Sequence, residues 1–101
     1  MNTIKFPLAI TLSKSGDMVY FSQLDLIHVL ERALRRTQLP LYYTQGFNPH
    51  VKISFLTGLK LGVEGTVSAR LYFTQPVVLA QLLQELKPQL PDGLTLLADV
   101  M

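Results

Sequence analysis

The sequence predicts an α+β fold in which an antiparallel sheet carries two helices on one face. Three observations lead there. Apolar residues recur with period two in four stretches and with the helical period in two others. Those stretches follow one another as strand, helix, strand, strand, helix, strand. Hydrophobic residues make up 49% of the chain and charged residues 16%, a balance that supports a core and excludes a disordered chain. A length of 101 residues fits one domain with a modest core.

Residues 3–13 alternate: Ile4, Phe6, Leu8, Ile10 and Leu12 share one face, and Thr3, Lys5, Pro7, Ala9, Thr11 and Ser13 the other. Pro7 cannot donate to a ladder, so an edge or a bulge is expected there. Lys14-Ser15-Gly16-Asp17 is a turn by composition. Met18 to Phe21 is short and apolar and is taken as a bridge back to the sheet. Ser22 then caps a helix, with Asp25 completing a capping-box pair and Phe21 facing Leu26 as a hydrophobic staple. Leu24, Ile27, Leu30 and Leu34, with Val29 and Ala33, form its expected buried face. Pro40 ends the helix, and Leu39 before it is pushed toward extended geometry.

Leu41 to Thr44 is apolar and aromatic, and Gln45-Gly46-Phe47-Asn48-Pro49-His50 is a loop. Val51, Ile53 and Phe55 alternate with Lys52 and Ser54. Gly58, Gly62 and Gly65 break the chain before Val67, Ala69, Leu71 and Phe73 alternate with Ser68, Arg70, Tyr72 and Thr74. The two strands, 51–57 and 67–74, read as a hairpin pair. Thr74-Gln75-Pro76 opens a second helix, with proline tolerated in its first turn. Leu79, Leu82, Leu83, Leu86 and Leu90 keep the helical period, Lys87-Pro88 weakens its end, and Pro91-Asp92-Gly93 is a turn. Leu94, Leu96, Ala98 and Val100 alternate as a last strand. This order is a ferredoxin-like split βαβ with the first strand central. Residues 1–101 then form a single ferredoxin-like domain. The chain stops inside an apolar strand pattern, so the natural protein is expected to continue.

The chain has no cysteine, which excludes disulfides, thiolate metal sites and an iron–sulfur cluster carried by this chain. No cofactor is expected here. No signal-peptide pattern is visible, and no apolar run approaches the roughly 18 residues of a membrane span. A cytoplasmic location without membrane contact is the expectation. The net charge of +2 is small, but its distribution is uneven. From Arg32 to Val63 there are five basic residues and no acidic one.

Three constellations follow. Asp25, His28, Arg32, Arg35 and Arg36 lie along one stripe of the first helix. They could orient an imidazole and hold an anion bidentately, or they could be a capping acid on a solvated basic face. The loop Gly46, Phe47, Asn48 and His50 can offer backbone N–H groups to an anion, with Phe47, Tyr42 and Tyr43 available to stack on a base. Alternatively it is a turn whose Phe47 plugs the core. Lys5, Lys52, Arg70 and Tyr72 share the sheet face away from the helices, a face for a partner or second domain, or for plain solvent. The two histidines match no metal-ligand spacing, and no Gly-rich phosphate loop or Ser-His-Asp order stands out.

Phe21–Phe55 resembles a known family. Phe21, Ser22, Leu24 and Asp25, then Glu31, Arg32, Ala33, Arg35 and Arg36, then Leu39-Pro40, and Gly46, Phe47, Asn48, Pro49, Lys52 and Ser54 resemble its pattern. This is the radical-SAM-linked family labelled domain of unknown function 2344. Gln23 departs from it, since members often carry His there. The family domain is usually longer, so the resemblance implies an N-terminal half. It also implies a protein encoded beside, or fused to, a radical-SAM enzyme. The expected function is therefore an accessory, non-catalytic binding domain. It would present Asp25, His28, Arg32, Arg35, Arg36, Gly46, Phe47, Asn48, His50 and Lys52 to a radical-SAM protein or to RNA. The alternatives are a stand-alone RNA-binding module, or a small enzyme using His28 or His50 as general acid/base.

Overall fold

A computed structural model describes residues 4–55 and 65–97. Six regular elements follow in the expected order: β1 (Phe6–Lys14), α1 (Gln23–Arg35), β2 (Ile53–Phe55), β3 (Gly65–Phe73), α2 (Leu79–Leu86) and β4 (Leu94–Leu96). The sheet order is β2-β3-β1-β4 with every pairing antiparallel, as a ferredoxin-like α+β fold requires. The turn assigned to Gly58 and Gly62, and the strand positions Ala98 and Val100, lie outside the described residues.

The sheet is amphipathic because its strands alternate. Ile10 and Leu12 of β1, Val67, Ala69, Leu71 and Phe73 of β3, and Leu94 and Leu96 of β4 are buried on one face. Leu26, Leu30, Ala33 and Leu34 of α1 and Leu82 and Leu86 of α2 close over that face in one cluster. Both helices therefore sit on the same side. Their ends are tied where Arg36 donates to the Gln89 carbonyl and side chain, and where Glu85 accepts from the Gln38 N–H.

Pro7 finds its place through the same alternation. The Thr11 carbonyl accepts from the Leu97 N–H, so the odd residues of β1 turn their backbone groups toward β4. Among the described residues, pairing on that side runs from Lys14 back only to Thr11. Pro7 pairs across to Tyr72 of β3 on its other side, and its missing donor costs no ladder bond there.

Ser22 caps α1 as expected. Its hydroxyl accepts from the Asp25 N–H at 3.2 Å, and the Asp25 carboxylate accepts from the Ser22 N–H at 3.0 Å. These bonds, the one from the Ser22 backbone first, hold the Asp25 carboxyl below its ordinary value. Ser22→Ala should lower the unfolding free energy by about 1 kcal/mol, read from denaturant melts with an unchanged slope.

Three local expectations are corrected. The buried face of α1 runs through Leu26, Leu30, Ala33 and Leu34, and Leu24 is exposed, because tertiary packing sets the rotation of the helix. Met18 and Val19 do not bridge to the sheet; Gly16–Tyr20 is a 3₁₀ turn that buries both. The second helix begins at Leu79 behind Val78, so Thr74-Gln75-Pro76 precedes it without belonging to its first turn. A β-branched Val77-Val78 pair favours the extended approach. Pro88 falls instead in a short 3₁₀ turn, Lys87–Gln89. Among the described residues no helix is long and apolar enough to cross a membrane.

Candidate functional site

The site forms where the second half of α1 meets the loop before β2. His28, Arg32 and Arg35 are spaced four and three apart, which places them on one helix face. Opposite them, Asn48, Pro49 and His50 complete an open basin of about 530 Å³. Arg32 reaches the rim of a second groove as well, where Arg36 lies beside Met18, Phe21, Val29, Gln89 and Pro91.

The loop is held by a short antiparallel ribbon. Leu41 bridges to Phe73, and Tyr43 to Val51. The Tyr42 N–H donates to the Tyr72 carbonyl, the Lys52 N–H to the Tyr42 carbonyl, and the Thr44 N–H to the His50 carbonyl at 2.7 Å. The Thr44 hydroxyl accepts from the His50 N–H in return. Thr44 thus closes the loop, and among the described residues the Asn48 side chain makes no hydrogen bond. Gly46 turns the chain with φ +128°, in the region that disfavours side chains. Nothing lies within 4 Å of a Cβ placed there, so the penalty of a substitution is conformational alone. Gly46→Val should cost about 2 kcal/mol, against the few tenths usual for a surface change, and thermal melts against Gln45→Val would measure it.

Phe47, at the loop tip, is fully exposed. The reading of Phe47 as a core plug is therefore wrong: Val51 and Leu39 fill that end of the core. Tyr43 is partly exposed beneath Arg35, whose guanidinium lies 5.2 Å from the ring centre. A free aromatic edge, a guanidinium on an aromatic face and two imidazoles therefore sit within one neighbourhood.

Glu31 organises this neighbourhood, and the charge pattern of the sequence did not single it out as a site residue. It lies between His28 and Arg35 and is buried. Its Oε2 accepts from Arg35 Nη2 at 2.7 Å and from the Val51 N–H at 3.3 Å. His50 Nδ1 lies 3.5 Å from the same oxygen. Burial pushes the carboxyl up, but the Arg35 and Val51 hydrogen bonds, with the charges of Arg35 and His50, outweigh it and hold the group below its ordinary value. The available signal was the i,i+4 spacing of Glu31 and Arg35.

The expected single surface is divided. His28, Arg32, Arg35, Asn48 and His50 meet at the basin, with Gly46 and Phe47 shaping its loop. Asp25 stays at the helix start in its cap. Arg36 turns to Gln89. Lys52 projects over Tyr72 on the opposite face of the sheet, its ammonium 5.2 Å from the ring centre. Among the described residues no cluster of three or more His, Cys, Asp or Glu could hold a metal ion.

The family model described as "Uncharacterized protein conserved in bacteria (DUF2344)" matches residues 8–100. No match was found among curated proteins or among solved structures.

Proposed function

We propose the following for a chain that belongs to the DUF2344 family. It is a non-catalytic binding domain that holds single-stranded RNA for a radical-SAM partner in the cytoplasm. The observation that carries the RNA reading is the meeting of His28, Arg32, Arg35 and His50 around one open basin, with Phe47 fully exposed on its loop. Cations that grip phosphate and an aromatic face that stacks a base are the two parts of single-strand recognition. The exposure of Phe47 leaves its ring face open for a base to stack on. Binding is favoured over catalysis because Glu31, the one acid of the basin, is already engaged by Arg35 and the Val51 N–H. The radical-SAM link rests on the resemblance of Phe21–Phe55.

Titration of a labelled single-stranded RNA at two salt concentrations tests this reading. Wild type should bind at low salt and weaken steeply as salt rises. Arg32→Ala should lower the salt slope by about 0.7, the value for one phosphate contact on a single strand. Phe47→Ala should weaken binding about tenfold at either salt through lost stacking. Absence of RNA binding at low salt would sink the nucleic-acid reading. The partner is tested separately, by sequencing the neighbouring reading frames for a fused or adjacent cysteine-rich radical-SAM protein.

A further inference from the structure

The sheet face away from the helices carries a second group of cations. Strand alternation puts Arg70 and Tyr72 of β3 on it, with Ser54 of β2 opposite Arg70 and Pro7 and Ala9 of β1 beside them. Lys52 lies over the Tyr72 ring at 5.2 Å, and Lys5 lies 5.8 Å from the centres of both the Tyr72 and Tyr42 rings. The outward residues of β1 after Lys5 are Pro7, Ala9, Thr11 and Ser13, all small. Lys5, Lys52 and Arg70 therefore gather around Tyr72 beside this strip of small side chains. Among the described residues this face has no acidic side chain, and Glu31, which takes part in the ion pairs with Arg35 and His50, lies on the other side of the sheet. Lys52 and Arg70 are half-buried without a carboxylate partner. The Ser54 side chain, first, then a hydrogen bond with Arg70 and the charges of Arg70 and Lys52, hold the Tyr72 phenol below its ordinary value.

The rings here are occupied. Lysines lie over Tyr72 and Tyr42, and Tyr42 is buried, so the face offers phosphate contacts and not base stacking. It is also joined to the basin. Tyr42 and Tyr43 are consecutive, about 3.8 Å apart along the chain. The first lies under Lys5 on the open face; the second lies under Arg35 at the basin. The ribbon that closes the loop is thus the edge between the two surfaces.

We propose that the open sheet face binds phosphates of the same RNA strand that fills the basin, the strand passing round the Tyr42–Tyr43 edge to Lys52, Lys5 and Arg70. This rests on the RNA reading of the basin. Its occupant follows from charge: three cations grouped on a face with no acidic side chain among the described residues match the phosphates of an extended strand.

The test compares single-stranded oligonucleotides of roughly 4 and roughly 12 nucleotides, sizes that bracket one and two surfaces of a small domain. Binding of both is followed by anisotropy for wild type, Arg32→Ala, the pair Lys5→Gln/Lys52→Gln, and Lys87→Gln as a control for loss of positive charge elsewhere. The pair should lower the salt slope for the long oligonucleotide by about 1.4 and weaken it about 25-fold at about 0.1 M salt, from two contacts of about 0.7 each. The short one should be weakened by Arg32→Ala and left alone by the pair. Circular dichroism of the pair variant checks that it is folded. If Arg32→Ala weakens the long oligonucleotide and the folded pair variant does not, the second surface is refuted and the basin reading survives. If Lys87→Gln matches the pair, the effect is net charge and the second surface is again refuted. If wild type binds neither oligonucleotide, both fall together.

Discussion

Replacing Gly93 by alanine should destabilise the domain by about 3 kcal/mol or more, the largest effect expected of a single methyl group in this chain. Two costs add. Gly93 has φ +91°, a conformation that a side chain makes costly by about 1–3 kcal/mol. A Cβ placed there would also lie 2.6 Å from the Ser15 carbonyl oxygen and 2.9 Å from Met18 Cγ. Neither neighbour can retreat freely. The Ser15 N–H donates to the Gly93 carbonyl at 2.8 Å, and the Ser15 carbonyl itself accepts from the Met18 N–H. Met18 is buried in the core cluster. The turn before β4 is thus pinned to the 3₁₀ turn after β1, where the two strands pair through Lys14 and Leu94. Gly46→Ala is the internal comparison, since that position shares the positive φ but has no atom within reach of a Cβ. Chemical denaturation of the two variants should place Gly93→Ala well below Gly46→Ala. Equal losses would mean that the contact with Ser15 contributes nothing and that backbone conformation alone matters.

The contrast between those two glycines also shows what a sequence can and cannot disclose. The turn at Pro91-Asp92-Gly93 was legible from composition, but the close approach of Ser15 was not, because it joins residues far apart in the chain. The same division runs through the molecule. The Ser22 cap, the strand alternation and the β-α-β-β-α-β order are local patterns, and all were readable. The rotation of α1 was not: Leu24 and Leu26 are both leucine, and only the sheet beneath decides which is buried. At the site, counting charge along the chain grouped Arg36 and Lys52 with Arg32 and Arg35. Geometry already opposed that grouping. One residue is about 100° of helix rotation, which carries Arg36 away from Arg35. Period two in the strand set Lys52 with Ser54 and Tyr72, away from the helices. Glu31 was left out of the site because its role depends on Val51, twenty positions further on.

Removing that carboxylate should therefore release the loop from the helix. Glu31→Ala deletes the acceptor of the Val51 N–H, a buried donor that would be left unpaired at about 1–3 kcal/mol. It also frees Arg35, which is about half exposed, so the ion pair itself adds little once solvent screening is counted. A total near 2–3 kcal/mol is expected, with the largest loss of amide protection at Val51 and through the ribbon that holds His50. Glu31→Gln separates the contributions, because its carbonyl oxygen still accepts from Val51 while its charge is gone; it should cost less than half as much. The pH dependence follows from the depressed carboxyl. A carboxyl whose folded value lies below its ordinary 4.5 stabilises the fold fully above that value. The contribution is lost as pH falls from there through the lower folded value. Wild type and Glu31→Gln should then converge in stability below that window and diverge above it. For binding, the expected sign is opposite to that for stability. With Glu31 neutral, the basin loses its one negative charge, so Glu31→Gln should bind RNA more tightly than wild type at low salt if the loop keeps its shape. Stability curves for the two proteins that run parallel through the acid range would show that the Glu31 charge does not latch this loop.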